Sequence, residues 1–326
     1  MATALTYVFF IIGLILIIKG GDIFVDSATK LANMLGVPKF IIGATIVSII
    51  VSIQATLSKN VDMAVGNAIG SVTANTALIL GLFITFMPFE IKRKDISFKS
   101  IAMIFAVVFI IIGCIVTQKK ELSFKGEVGE YYFLSALGVT LLFTVFAIFI
   151  FENIKCIKSE TKSDESKISY CTKEKVSCII LFILGAVGII FGARLLVKYA
   201  TQIAISLNIS QRVISVIAVA IGTSLPELVT ALTALKKKSG SLSAGNILGA
   251  NIIDLTLILP ICSLISIARG TSELAVSLSC VNFDCVMCLG VILIAVLPTI
   301  ISQKFQRWQG ILLLIIYGIY IYFVVR

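Results

Sequence analysis

The chain has 326 residues, 59% of them hydrophobic and only 13% charged, with mean hydropathy +1.09; a soluble domain is nearer half apolar and a quarter charged. This is the composition of a membrane protein, and at about 20 apolar residues per spanning helix some ten spans consume most of the chain, excluding a large soluble catalytic or nucleic-acid-binding domain. The net charge of +10 reads as loop bias facing anionic lipid, and the lack of any His excludes His-based zinc sites, Ser-His triads and His proton relays.

In chain order, apolar runs cover roughly 4–19, 38–58, 68–88, 99–117, 131–151, 176–198, 211–235, 245–268, 274–301 and 308–325. The first run has no basic leader and no small-residue cleavage site, so it reads as a retained span. The expected fold is an all-α membrane protein with about ten transmembrane helices. Its longest polar segment, Glu152 to Lys175, carries six lysines among acids and serines and divides the chain into halves of five spans each, 1–151 and 176–326. With that loop cytoplasmic, the basic clusters Lys92-Arg93-Lys94, Lys236-Lys237-Lys238 and Lys304 with Arg307 fall on the same side. About twice as many basic residues then lie inside as outside, as the positive-inside rule expects. A multi-pass protein of a prokaryotic plasma membrane is the expected localisation, with membrane lipid as its surroundings and no nucleic-acid partner.

Eight cysteines (Cys114, Cys156, Cys171, Cys178, Cys262, Cys280, Cys285, Cys288) lie mostly inside apolar runs without paired spacing, and read as small buried hydrophobes. Asp22 and Asp26, at i, i+4 after the first run with Lys30 following, read as a solvated interfacial face. No nucleophile-base set or phosphate loop occurs, so neither an enzymatic reaction nor a cofactor is expected.

The two halves repeat each other. A shift of 179 places Gly66-Asn67-Ala68-Ile69-Gly70 on Gly245-Asn246-Ile247-Leu248-Gly249, Asn75 on Asp254, and Leu78-Ile79-Leu80 on Leu257-Ile258-Leu259. Upstream, a shift of 172 places Gly20 on Gly192, Ala28-Thr29 on Ala200-Thr201 and Val47 on Val219. The register slips by seven residues just after Ile49, where the second half reads Gly222-Thr223-Ser224-Leu225-Pro226-Glu227-Leu228 and the first half has no counterpart. Seven residues is close to two helical turns, so the shortened span can close with its faces nearly in phase. An odd number of helices per half makes the repeats inverted, and inverted repeats with broken helices are the sequence pointer to a secondary transporter.

Within Gly222–Glu227, Pro226 removes a backbone donor and disfavours helix at Leu225, freeing carbonyls near Ala220 and Ile221. Thr223 and Ser224 add hydroxyls and Glu227 a carboxylate, a hard-oxygen set of the kind that suits Ca²⁺ or Na⁺. Asp254 is a second intramembrane acid, eight residues beyond Asn246, and an acid at membrane depth is costly and normally functional. Small residues Gly245, Gly249 and Ala250 allow the close helix approach that could bring Asp254 against Glu227. In the first half, neutral Ser71 and Asn75 occupy the equivalent face, as ligands or as interhelical hydrogen-bonding glue.

These motifs resemble the sodium/calcium exchanger family of the calcium:cation antiporter superfamily. Gly222 to Leu228 followed by Gly245 to Asp254 is similar to the family's second alpha repeat (about 209–260), and Gly66 to Ser71 with Asn75 to the latter half of its first (about 37–86). The resemblance implies ten helices in inverted halves and exchange of Ca²⁺ for Na⁺ or another monovalent cation. It implies Glu227 as a principal Ca²⁺ ligand, Thr223, Ser224 and the Ala220 carbonyl as cation ligands, Asp254 as a further acid, and Ser71 and Asn75 as first-half contributors. Two departures stand out: the first Gly-Thr-Ser-x-Pro-Glu is absent, and Ala250 replaces the usual serine. An ungapped alignment sets Ser48 opposite Glu227, so neither alignment supplies a first-half carboxylate. Two other readings stay open, a homologue that keeps the fold without exchanging Ca²⁺, and a transporter of monovalent cations or H⁺ alone.

Overall fold

The computed structural model describes residues 4–35, 61–124, 127–160, 172–206, 228, 231, 240–270 and 273–325. Among them, seven helices are long and apolar enough to cross a membrane, and Val176–Gly192 forms a shorter apolar stretch of another.

Two helices outrun the apolar runs that mark them. Helix α1 (Ala4–Leu35) continues through Gly20-Gly21-Asp22 for 32 residues, and the helix that opens the second half (Thr172–Ser206, α6 in chain order) extends for 35. At about 1.5 Å per residue these reach roughly 50 Å, beyond the ~30 Å hydrocarbon core, so tilt or polar ends outside the core must take up the difference. The pair packs antiparallel: Phe9 stacks on Tyr199 at 5.0 Å, Phe24 on Phe182 at 4.9 Å, and the Cys178 thiol donates to the Ser27 carbonyl at 3.4 Å. A Cβ on Gly185 would lie 2.7 Å from the Phe24 amide nitrogen, so glycine is what lets the backbones approach. The outer faces carry exposed Ile11, Ile15, Ile180 and Leu184, suited to lipid. Asp22 is half-buried and Asp26 and Lys30 are exposed.

The interior is built around two helices of matching form. Helix α2 (Val61–Thr73) passes through a π-helical segment (Ala74–Leu80) into α3 (Gly81–Phe86). Helix α7 (Gly240–Ile253) passes through a π-helical segment (Asp254–Ile258) into α8 (Leu259–Ala268). In the second of these, Pro260 lacks an N–H and its ring crowds the carbonyl four residues back, and the wider π turn makes room for it. In the first, Gly81 stands one residue past the π segment, and a Cβ on Gly310 of the last helix would meet the Gly81 carbonyl at 2.7 Å. The spans containing these segments, Ala68–Phe86 and Ala244–Ala268, are the two most enclosed of the seven. Around them pack α4 (Arg93–Ile115), α5 (Ala136–Glu160), α9 (Cys285–Ser302) and α10 (Arg307–Val325), sharing one core that includes Ile69, Leu80, Ile252, Ile258, Val291 and Val296.

Pro298 inside α9 leaves the Ile294 carbonyl without its helical donor. Buried Gln309 of α10 fills that role: its Nε2 donates to Ile294 O and Ala295 O at 3.1 Å, and its Oε1 accepts from the Gln306 amide at 2.8 Å.

The all-α fold also carries one small sheet. Residues at the edges of two apolar runs are strands: β1 (Lys120–Phe124), β2 (Glu127–Leu134) and β3 (Leu274–Ser277) form an antiparallel sheet in the order β1-β2-β3, with Tyr131 opposite Ser277 and Leu134 opposite Leu274. The runs 131–151 and 274–301 therefore begin as strands, because alternating aromatic and β-branched residues such as Tyr131, Phe133 and Val276 suit a pleated surface. At the other end of α4 and α9, Ile91 N donates to Gln303 O at 3.0 Å and Phe305 N to Phe89 O at 2.9 Å. Gln303 closes α9 in the left-handed region, φ 53°. Each clasp ties a connection of the first half to one of the second, and the basic residues Lys92, Arg93, Lys94, Lys304 and Arg307 gather at the second clasp. The 152–175 segment is helical at both edges, to Glu160 and from Thr172.

Candidate functional site

The two π segments fall at repeat-equivalent places. Asp254 opens the second, and its counterpart at a shift of 179, Asn75, is the second residue of the first. A π turn adds a residue to the helical repeat and re-aims the side chains that follow, and such turns collect at functional sites. Here they carry Asn75, Thr76 and Asp254 within the protein core. Asn75 and Thr76 are wholly buried, Asp254 is 1% exposed and Ser71, one turn before Asn75, is 4% exposed.

The interior helices meet through side-chain amides. Asn75 Nδ2 donates to Asn251 Oδ1 at 3.0 Å, and Asn251 Nδ2 donates to Thr76 Oγ1 at 2.9 Å, all three residues being fully buried. The early part of each helix packs on the π segment of the other, an antiparallel crossing. Two buried oxygens on the first-half side, Asn75 Oδ1 and Ser71 Oγ, have no hydrogen-bond partner among the described residues. A buried acceptor without a donor costs about 1–3 kcal/mol, and a cation is one kind of partner that relieves such a cost.

Of the residues expected from sequence, the structure therefore brings Ser71, Asn75 and Asp254 into the enclosed helix pair. Ala220, Thr223, Ser224 and Glu227 lie outside the described residues, as does the register slip after Ile49. Leu228, the next residue after Glu227, is helical and packs on the common core, and Ala231 is buried in it. Ala250, where the family pattern has serine, is buried on α7 and brings no oxygen.

Sequence reasoning missed three polar residues. Asn251 and Thr76 were hidden because their roles arise only when the two helices cross. Asp284 is a further acid within a candidate span, closing a third π segment (Cys280–Asp284) and accepting from Tyr320 Oη at 3.1 Å. The signal that marks Asp254, a lone acid in an apolar run, also marks Asp284. Lys99 donates from Nζ to the Gly245 carbonyl at 3.2 Å, tying α4 to the first turns of α7. Cys114, Cys178, Cys262, Cys280, Cys285 and Cys288 are buried and no disulfide joins them.

Comparison with known proteins agrees with this architecture. The family model described as sodium/calcium exchanger protein matches residues 5–152 and 177–326. An uncharacterized membrane protein of Methanocaldococcus jannaschii is 32% identical over 322 residues, covering 95% of this chain and 94% of its own. The sodium/calcium exchanger MaX1 of Methanosarcina acetivorans is 28% identical over 347 residues, covering 95% and 96%. Among solved structures, the sodium-calcium exchanger NCX_Mj soaked with Na⁺ and Sr²⁺ superposes with a TM-score of 0.71 at 30% identity, covering 97% of each chain. The membrane-spanning composition, the paired broken helices and these matches over nearly the whole length place the chain in the sodium/calcium exchanger family, a family of multi-pass membrane cation antiporters.

Proposed function

We propose that the protein exchanges Ca²⁺ for Na⁺ across a prokaryotic plasma membrane by alternating access, with the cation held where the two π-broken helices cross. Asp254, Glu227, the hydroxyls of Thr223 and Ser224 and the Ala220 carbonyl supply the second-half ligands, and Ser71 and Asn75 the first-half ones. The observation that carries this reading is the crossing of the two interior helices: one bears a buried carboxylate at the start of its π segment, and the other bears Asn75 and Ser71 oxygens that lack partners among the described residues. Hard oxygens without nitrogen or sulfur donors favour Ca²⁺ and Na⁺ over zinc or copper. Exchange follows from competition: one carboxylate-bearing site holds either the divalent ion or its monovalent competitor, and the protein reorients when the charge is balanced.

Two halves of opposite orientation, 1–151 and 176–326, joined by a cytoplasmic 152–175 loop, complete the proposal. The antiparallel pairing of α1 with the helix Thr172–Ser206 and the antiparallel crossing of the interior helices support it. A second reading rests on the missing first-half glutamate: with only neutral Ser71 and Asn75 as first-half contributors, the site would carry monovalent cations or H⁺ and have lost Ca²⁺ coupling.

The test is radiolabelled Ca²⁺ uptake into Na⁺-loaded proteoliposomes, using this chain and a version given Gly-Thr-Ser-Leu-Pro-Glu-Leu between Ile49 and Ile50. Na⁺-gradient-driven uptake by both is the expected result. Uptake only after insertion, together with pH- or Na⁺-dependent flux of the unmodified chain that Ca²⁺ does not inhibit, would establish the second reading instead.

A further inference from the structure

We infer that Asn251 is a positioning residue, which fixes the Asn75 amide so that its oxygen, and not its NH₂, is offered to the cation. The inference rests on the proposed cation site. An asparagine amide has one acceptor end and one donor end, and only the acceptor can ligate a cation; a reversed amide would present positive N–H dipoles to it. The hydrogen bonds run in one direction: Asn75 gives its Nδ2 to Asn251, and Asn251 gives its Nδ2 to Thr76. Asn75 Oδ1 is thereby left as the end without a partner among the described residues, inside the core. Turning the Asn75 amide over would set two oxygens against each other at the Asn251 contact unless Asn251 turned with it and the Thr76 hydroxyl donated where it now accepts, so Asn75 can turn only together with both.

The repeat shows why the device occurs once. At a shift of 179 the counterpart of Asn251 is Val72 and that of Thr76 is Leu255, so the second half contains neither partner. Its residue at the Asn75 place is Asp254, whose ionised carboxylate accepts through either oxygen and needs no orienting. A neutral ligand requires orientation where an acid does not, and the first half holds the neutral one. The contact also spans the repeats, Asn75 on the first interior helix and Asn251 on the second, so the ligand's aim depends on how the two helices sit together.

The test uses the purified full chain in detergent, with thermal unfolding followed at increasing Ca²⁺ and, separately, Na⁺. Compared are the unmodified chain, Asn251→Leu, Asn75→Ala, the double variant and Thr76→Val. Positioning predicts that Asn251→Leu weakens apparent Ca²⁺ affinity about tenfold, as outer-shell partners of metal ligands commonly do. The loss should match that of Asn75→Ala, the double variant should be no weaker than Asn75→Ala alone, and Thr76→Val should weaken affinity about threefold. Unfolding midpoints without cation separate these losses from simple destabilisation. Asn251→Leu with unchanged affinity, or a loss that adds in full to that of Asn75→Ala, overturns the positioning role alone. If the unmodified chain responds to neither ion, the cation-site reading falls and this inference with it. Should Asn251→Leu not fold, Thr76→Val decides: unchanged affinity overturns the role.

Discussion

Asp254 and Asn75 hold equivalent places in two crossing helices, each within the first two residues of a π-helical segment, one as a buried carboxylate and the other as a buried amide. The backbone of the site is thus nearly symmetric while its charge is not. Asn75→Asp tests that asymmetry. It adds the negative charge the first half lacks, and Asn251 can turn its amide to donate to the new carboxylate. We expect apparent Ca²⁺ affinity to rise by about tenfold, or roughly 1.4 kcal/mol, read from Ca²⁺-dependent thermal stabilisation. A fall in affinity would mean that the two side chains do not share one cation.

The Gln309 side chain substitutes for the N–H that Pro298 removes. Gln309→Leu would strand the Ile294 carbonyl and the Gln306 amide, at a cost of about 1–3 kcal/mol for each buried group left unmade. The unfolding midpoint in detergent should drop while apparent cation affinity stays unchanged, since neither residue belongs to the interior helices. An unchanged midpoint would show that other groups repair the proline break.

Glycine at position 185 lets α1 and the helix Thr172–Ser206 touch. Gly185→Val should separate them, because even a Cβ there lies within 3 Å of the Phe24 backbone. We expect loss of ion-gradient-driven flux or of the folded protein, whereas Gly318→Ala, with nothing within 4 Å of its added Cβ, should leave both intact. Equal behaviour of the two variants would contradict the close packing.

The two clasps lie at opposite ends of α4 and α9, so single reporters placed at Lys119 and Lys304 should label from opposite faces of the membrane. Lys119→Cys and Lys304→Cys, each treated with a membrane-impermeant maleimide in intact cells and in inverted vesicles, check this. The basic clasp, with Lys304, is expected on the cytoplasmic face. Native thiols at Cys114, Cys178, Cys262, Cys280, Cys285 and Cys288 are buried, and Cys156 and Cys171 of the 152–175 segment are first replaced by serine. Labelling of both positions from one face would refute the topology.

Much of this was legible from sequence because membranes enforce simple rules. Spans follow from apolar runs, and Asp254 is conspicuous as an acid inside one. The alignment of Asn75 with Asp254 in the repeat points to the paired segments. The lengths of α1 and of Thr172–Ser206 were not legible, since Gly20-Gly21-Asp22 reads as an end in one chain and becomes a contact only against Gly185 and Gly188. The sheet was hidden for a similar reason: Tyr131-Tyr132-Phe133-Leu134 is apolar enough to join a span, and only pairing with Leu274–Ser277 makes it a strand. Asn251, Thr76 and Gln309 belong to this class too, polar residues whose meaning lies in a partner far along the chain.

The central claim is that one cation site sits at the crossing of the two π-broken helices, and Asp254→Asn tests it most directly. The measurement is Ca²⁺ uptake into Na⁺-loaded proteoliposomes by the chain and this variant, with reconstitution checked by matched unfolding midpoints. Removing a buried charge that pairs with the ion should reduce apparent Ca²⁺ affinity roughly 100-fold, about 3 kcal/mol, and abolish Na⁺-dependent uptake. Uptake by Asp254→Asn equal to that of the unmodified chain would contradict the account.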